Sequence, residues 1–317
     1  MTAAEHRTST PAKRQIEFGE HRPPVRTVGL VAARSKAEAG VLGSEVSTWL
    51  SDRGVDVVTE EALTQGAPVD AVVVLGGDGL MMRAANAYPD VPLLGINFGN
   101  VGFLALVERR DWQGALENLI AGRYMVEPGA TLAARLVRDG TSLDAGWAIN
   151  DVVVRAGARM VDIELYIDGR YVNTYPGDGM IVSTPHGSTA YCMAAGGPIL
   201  TAGVQGFAIV PISCHSPIRT PLVASEEDPI ELLLANDREA TLMLDGRETL
   251  ALQEGDVVRV TRGDQLFRLV TFGSTNFYEA FRTKFNFRIR PNAVPSLPAQ
   301  RREREFDGDD GGMGAIG

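Results

Sequence analysis

The sequence predicts an α/β protein: an N-terminal wound α/β domain carrying a Gly-Gly-Asp-Gly turn, then a β-rich second domain, with a ligand cleft between them. Three observations carry this. Strand-like apolar runs alternate with helical patterns in the first part of the chain. From about Ala130 the pattern changes to short alternating or β-branched runs. Two glycine–aspartate turns, Gly76-Gly77-Asp78-Gly79 and Gly177-Asp178-Gly179, fall one in each part, and ligands of wound sheets and of paired domains sit at such places.

Residues 1–24 are polar, contain Pro11, Pro23 and Pro24, and show neither period, so they read as a disordered tail. Val25 to Ala32 then reads as a strand, Ser35 to Leu50 as a helix, Val55 to Thr59 and Val69 to Leu75 as strands, Leu80 to Ala87 as a helix and Leu93 to Ile96 as a strand. The runs Val72–Leu75 and Leu93–Ile96 are continuously apolar, as parallel strands covered on both faces must be. Asp78 and Asn97 follow those two strands and so fall at the carboxyl edge of the sheet.

In the second part the strands are expected at Leu132 to Arg138, Trp147 to Val154, Asp162 to Ile167, Met180 to Ser183, Phe207 to Ile212, Ile230 to Leu234, Thr241 to Leu244, Asp256 to Val260 and Leu266 to Phe272. Asp168-Gly169 and Asp245-Gly246 are hairpin signals, because both residues can take positive φ. This domain spans about 126–274, and 25–125 forms the α/β domain. Residues 291–317 run Pro-rich, charged and then Gly-rich, and read as a second disordered tail.

Thirty Lys and Arg against 40 Asp and Glu give a formal net charge of −10, which argues against nucleic acid and anionic membranes as partners. No run approaches the roughly 20 apolar residues that would span a bilayer. Cys192 and Cys214 offer neither a disulfide framework nor metal-ligand spacing, which suits a reducing cytoplasm.

The chemistry-bearing residues gather at the turns. Asp78 stands between glycines that let phosphates approach, ahead of helix N–H groups that can hold anionic oxygen; it can equally cap the helix beginning at Leu80. Asn150-Asp151 breaks an apolar run, either as a ligand-binding pair or as a turn between two strands. Residues 177–191 place a strand between an acidic glycine turn and a small-residue turn opening a helix, where Gly187 would admit a ligand and Ser188 and Thr189 would point at it. Arg159 and Arg247 are the arginines raised by proximity to these motifs, against a reading as solvated surface charge. A dehydrogenase would need Gly-x-Gly-x-x-Gly after its first strand, and Ala32-Ala33-Arg34-Ser35 stands there instead.

These motifs, with Gly95-Ile96-Asn97, the run Gly99 to Leu104, Ile209 to Ile212 and Arg219 to Val223, make the chain resemble the NAD kinase family from about Val28 to about Phe287. The resemblance implies phosphorylation of the adenosine-ribose 2′-hydroxyl of NAD to give NADP, with ATP or polyphosphate as donor and a divalent cation, Mg, carried on the donor. It implies Asp78 as the catalytic carboxylate and Gly76, Gly77 and Gly79 as the donor-phosphate cradle. For NAD it implies Asp78, Gly79, Phe103, Asn150, Asp151, Arg159, Asp178, Thr189, Ala190, Tyr191, Cys192, Met193, Ala194 and Arg247, with Asp245 close to the centre. It also implies a homo-oligomer and a return of 275–290 to the α/β domain.

Two positions depart from the family pattern. Leu80 replaces a common Thr, and His186 stands in the Thr-Pro-x-Gly-Ser turn where a hydroxyl or small residue is usual. His186 could assist phosphate binding as an imidazolium, or be an exposed loop histidine. A lipid or sphingoid kinase of the same superfamily and a non-catalytic NAD-binding regulator are the alternatives.

Overall fold

The computed structural model describes residues 22–99, 102–201, 203–217, 219–272 and 280–281. Residues 1–21, the 291–317 tail, most of 275–290, and Asn100 and Val101 of the Gly99 to Leu104 run lie outside the described residues, whereas Arg22 to Pro24 of the expected N-terminal tail are described and the Arg22 N–H donates to Gly122 O at 3.1 Å. The described residues belong to one unit of the chain, within Met1–Lys284.

The first layer begins with β1 (Thr27–Ala32), α1 (Ala37–Ser51), β2 (Asp56–Thr59), α2 (Glu60–Thr64), β3 (Ala71–Leu75), α3 (Asp78–Ala87), β4 (Leu93–Asn97), β5 (Val107–Glu108), α4 (Trp112–Ile120) and β6 (Met125–Gly129). The chain continues through β7 (Leu132–Arg138), β8 (Thr141–Ala148), β9 (Asp151–Ala156), β10 (Val161–Ile167), β11 (Arg170–Gly177), β12 (Gly179–Ser183), α5 (Tyr191–Ala194) and β13 (Gly206–Ile212). It ends with β14 (Leu222–Ser225), β15 (Ile230–Leu234), β16 (Ala240–Leu244), β17 (Arg247–Leu252), β18 (Val257–Arg262) and β19 (Phe267–Thr271).

One sheet runs β2-β1-β3-β4-β19-β6, with β5 on β4. Its pairs are parallel except β19 with β6. β3 and β4 are buried at every residue, as their continuous apolar sequence requires. α1 and α4 cover one face through Leu42, Val46, Leu50, Leu116 and Leu119, and α3 covers the other through Met81, Ala84 and Ala85. The i, i+3, i+4 spacing of that last trio is the stripe a helix presents to a sheet. β6 and β19 belong to this sheet although their sequence lies within 125–129 and 267–271. Ala280 is buried in the cluster on its α3 face.

The other strands form two antiparallel sheets, β11-β10-β15-β18-β7-β8 and β14-β13-β12-β9-β16-β17. Leu132, Leu136, Ile163, Leu232 and Val260 of the first pack against Val152, Val154, Val182, Phe207 and Leu242 of the second. The outer face of the second sheet is covered too, where Cys192 and Leu200 lie on Val153, Ile181, Ala208 and Val210. That double cover explains why β9, β12 and β13 are apolar runs rather than alternating strands. The Asp168-Gly169 and Asp245-Gly246 hairpins form as expected, with all four residues at positive φ.

The expected strand Trp147 to Val154 is two strands in two sheets: β8 pairs with β7, β9 with β12 and β16, and the break falls at Ile149-Asn150. Among the described residues no helix is long and apolar enough to cross a membrane.

Candidate active site

Asp78 is the first residue of α3, at the carboxyl edge of β3, with Gly77 before it in extended backbone. It is not the cap of a helix beginning at Leu80. Its side chain turns to the loop beyond β4, where Oδ2 accepts from the Phe103 N–H at 2.9 Å and Oδ1 accepts from the N–H groups of Leu104 at 3.1 Å and Ala105 at 3.0 Å. The loop can approach because residue 102 is glycine: a Cβ there would lie 1.8 Å from Asp78 Oδ1. Gly77 and Gly79 face open space, whereas Leu80 leans over Gly76, its Cδ2 2.6 Å from where a Cβ would sit. The side chain that replaces the usual Thr therefore packs on the turn and offers no hydroxyl.

A second carboxylate does the same in the β-rich part. Asp245 Oδ1 accepts from Asn150 N–H at 2.7 Å and Asp151 N–H at 3.2 Å, and Oδ2 accepts from Ile149 N–H at 2.9 Å. These bonds take three consecutive amides away from any strand ladder, which is why the apolar run breaks there. Burial pushes the Asp245 carboxyl up, opposed by these three N–H bonds and by Arg247. Asp151 is 4% exposed, its carboxyl meets no donor among the described residues, and burial with the nearby Asp245 raises it to about 7. Asp245-Gly246-Arg247 is thus both a hairpin turn and the clamp on Asn150-Asp151.

The turn after β12 hangs on that clamp. Thr184 Oγ1 donates to Ile149 O at 2.7 Å, Thr184 N–H donates to Asn150 O at 2.9 Å, and Gly187 N–H donates to Thr184 Oγ1 at 3.0 Å. Three expectations change here. The space at Gly187 is filled by the Asn150 carbonyl, 2.1 Å from a built Cβ, and so is not open to a ligand. The Ser188 hydroxyl is buried, donating to Pro185 O at 2.6 Å and accepting from Leu200 N–H at 2.9 Å, so it faces inward. The helix beyond is the four residues of α5, too short to act as an anion-binding terminus.

Thr189, Ala190, Tyr191 and Met193 are half-buried and Ala194 is exposed, and the Tyr191 hydroxyl accepts from Arg155. Cys192 is fully buried, its Sγ 3.7 Å from Pro198 O, and burial raises its thiol to about 11. Its side chain belongs to the core. Asp178 and Arg159 lie at the other end of the sheet. Gly179 pairs with Arg155 while Ser183 pairs with Asp151, so Asp178 stands about 20 Å from Thr184 at about 3.3 Å per residue. The fold does not bring those two to the Asp78 turn.

The Asp78 loop and the β12 turn meet. Phe103, Leu104 and Leu106 from one side and Pro185, His186 and Thr189 from the other line a small pocket of about 30 Å³, with Glu127 and Leu269 also in its wall. His186 is no exposed loop residue: its ring stands edge-on to Phe267 at 5.1 Å, and burial lowers its pKa to about 4, so it is neutral at pH 7. An imidazolium on phosphate is not the arrangement found. A basic edge was not foreseen either. Lys36 and Arg109 lie 6.0 and 5.5 Å from the Phe98 ring, beyond β4, and Arg34 and Lys36 line a pocket at the carboxyl ends of β1 and β2, with Arg34 paired to Glu60 at 3.6 Å and Arg109 to Glu38 at 2.9 Å. Its sequence signal is weak, because three single cations from separate segments make no motif.

A glycine turn opening a helix at the edge of a parallel sheet, set against a clamped polar pair on a β-sandwich, defines a nucleotide-dependent phosphotransferase. The ATP-NAD kinase N-terminal domain matches residues 64–124 and the ATP-NAD kinase C-terminal domain matches residues 149–272. An NAD kinase of Thermomicrobium roseum is 57% identical over 283 residues, covering 89% of this chain and 97% of the relative. One from Moorella thermoacetica is 37% identical, covering 82% and 89%. The chain belongs to the NAD kinase family. Among solved structures, an NAD kinase from Archaeoglobus fulgidus in complex with ATP superposes with a TM-score of 0.65 at 25% identity, covering 82% of this chain and 97% of that one. Yeast NADH kinase complexed with NADH shares the fold, with a TM-score of 0.75 at 21% identity over 87% and 91% of the two chains.

Proposed function

We propose that this chain phosphorylates the adenosine-ribose 2′-hydroxyl of NAD, with ATP as donor, where the Asp78 loop and the β12 turn meet. The observation that carries the reading is the Asp78 carboxylate, held by three backbone N–H groups of the loop that meets the β12 turn. Held so, it is a fixed acceptor that orients the ribose hydroxyl and takes its proton as the phosphoryl group arrives. Gly76, Gly77 and Gly79 with the first N–H groups of α3 cradle the transferring phosphate, and Lys36 supplies positive charge nearby, while Arg34 and Arg109 are paired with Glu60 and Glu38.

Asn150, Asp151, Thr189, Ala190 and Tyr191 hold NAD, with Phe103 packing beside it and Arg247 at its rim. Met193 and Ala194 extend that surface. Asp151 accepts from the adenosine moiety, which compensates a buried carboxylate with no donor among the described residues.

The divalent cation fits as a passenger of the donor. Mg typically uses one or two carboxylates together with substrate phosphates, so the donor's own phosphates would bring it to this site. When bound it neutralises phosphate charge. The two free cysteines suit a reducing compartment, and we place the enzyme in the cytoplasm as a homo-oligomer. Incubating the protein with NAD, Mg and either ATP or polyphosphate, then assaying NADP, tests both the reaction and the donor; light scattering on the same sample tests the oligomer.

A further inference from the structure

The turn that carries Thr189 to Tyr191 is bonded to its own sheet through Thr184, Ile149 and Asn150, which leaves open what sets it against the layer bearing Asp78. The answer lies in β6 and β19. Gly129 and Phe267 are cross-strand partners in that ladder. Gly129 has no left-handed φ that would demand glycine. What it lacks is room, since a Cβ there would lie 2.5 Å from His186 Cε1 and 2.7 Å from His186 Nδ1. A glycine inside a strand costs packing and marks a close approach.

The approaching group is the His186 ring. It fills the notch left by Gly129 and meets Phe267, itself 2% exposed, edge-on at an interplanar angle of 84°. Nδ1 is buried with no hydrogen-bond partner among the described residues, and the ring's contacts there are with Gly129 and Phe267. Neutrality of the buried imidazole agrees with that role.

We propose that His186 is a positioning residue, whose ring locks the β12 turn into the Gly129–Phe267 notch and so sets the turn's affinity for the dinucleotide. The proposal rests on the reading that Thr189 to Tyr191 hold NAD. It makes the departure at position 186 a paired feature: the large ring on the turn and the absent side chain on β6 belong together.

The test is steady-state kinetics of the full chain with NAD and ATP varied in turn, for Gly129→Ala, His186→Thr, their double variant, His186→Phe and Tyr191→Ala. Gly129→Ala and His186→Thr are each expected to raise KM for NAD roughly 3- to 30-fold, the span of coupling seen for residues in contact. KM for ATP and kcat should stay within about twofold. In the His186→Thr background, Gly129→Ala should add less than about twofold, because the ring it would strike is gone. His186→Phe keeps a ring of similar shape and should hold KM for NAD within about threefold of the parent.

Additive effects of Gly129→Ala and His186→Thr, or a His186→Phe enzyme as impaired as His186→Thr, would overturn the proposal. The phenylalanine comparison decides it even if Gly129→Ala fails to fold. Where Tyr191→Ala raises KM for NAD and the notch variants do not, the positioning role fails and the dinucleotide reading of the turn stands. Where Tyr191→Ala also leaves it unchanged, that reading fails as well.

Discussion

Replacing Asp151 with Asn should change how stability responds to pH. Folding moves its carboxyl from 3.8 to about 7, through burial and the neighbouring Asp245. An acid raised in this way keeps its proton in the folded state while the unfolded chain has already released it. Its contribution is therefore intact below about pH 4, is lost as pH rises, and is fully lost above about pH 7. At about 1.4 kcal/mol per unit, roughly three units amount to ~4 kcal/mol, a large fraction of a typical folding free energy. His186 acts with the opposite sign. Its folded pKa lies at about 4, below the usual 6.5, so its contribution is whole above about pH 6.5 and is lost as pH falls toward 4. Asp245, Glu127 and Asp256 are shifted by folding as well, and subtracting the parent curve from the Asp151→Asn curve cancels the groups common to both proteins and isolates Asp151. Urea unfolding of both proteins in steps from about pH 4.5 to about pH 8.5 should show the variant gaining about 1.4 kcal/mol per unit until about pH 7 and nothing beyond. NAD affinity of the parent should strengthen through the same range, as adenosine donors meet the ionised carboxylate, and that of the variant should not. A difference that stays flat across this range would refute the assignment of a buried, raised carboxyl.

Asp78→Asn keeps the shape but turns an NH₂ toward a backbone N–H of the Phe103 to Ala105 loop. We expect kcat to fall about 10²- to 10⁴-fold, with about 1 to 3 kcal/mol lost in unfolding experiments; unchanged turnover would remove it from the mechanism. Cys192, fully buried and raised to about 11, should resist iodoacetamide at pH 8 in the native enzyme and react in urea. Rapid alkylation with loss of activity would place that thiol at the surface.

Much of the fold was legible because its signals are local. Continuous apolar runs marked β3, β4 and β12, and the two Asp-Gly turns marked their hairpins. The break between β8 and β9 was visible only as a polar pair, since its cause, the Asp245 carboxylate, is 95 residues distant from Asn150. The same holds for the loop held by Asp78, and for the notch in which His186 and Gly129 meet from remote segments. The roles given to Gly187 and Ser188 went astray for one physical reason. Small and hydroxylic residues suit close packing against backbone as well as contact with a ligand, and here Asn150 and Leu200 take that space. Spacing along the chain also placed Asp178 near the other motif residues, although the length of β12 separates them.

Phosphorus NMR of the product formed from NAD, ATP and Mg is the most direct test of the central reading. A new phosphomonoester is expected on the adenosine ribose at the 2′ position, formed in step with ADP and absent when Asp78→Asn replaces the parent over the same interval. ATP consumption without that resonance, or phosphate on any other hydroxyl, would contradict it.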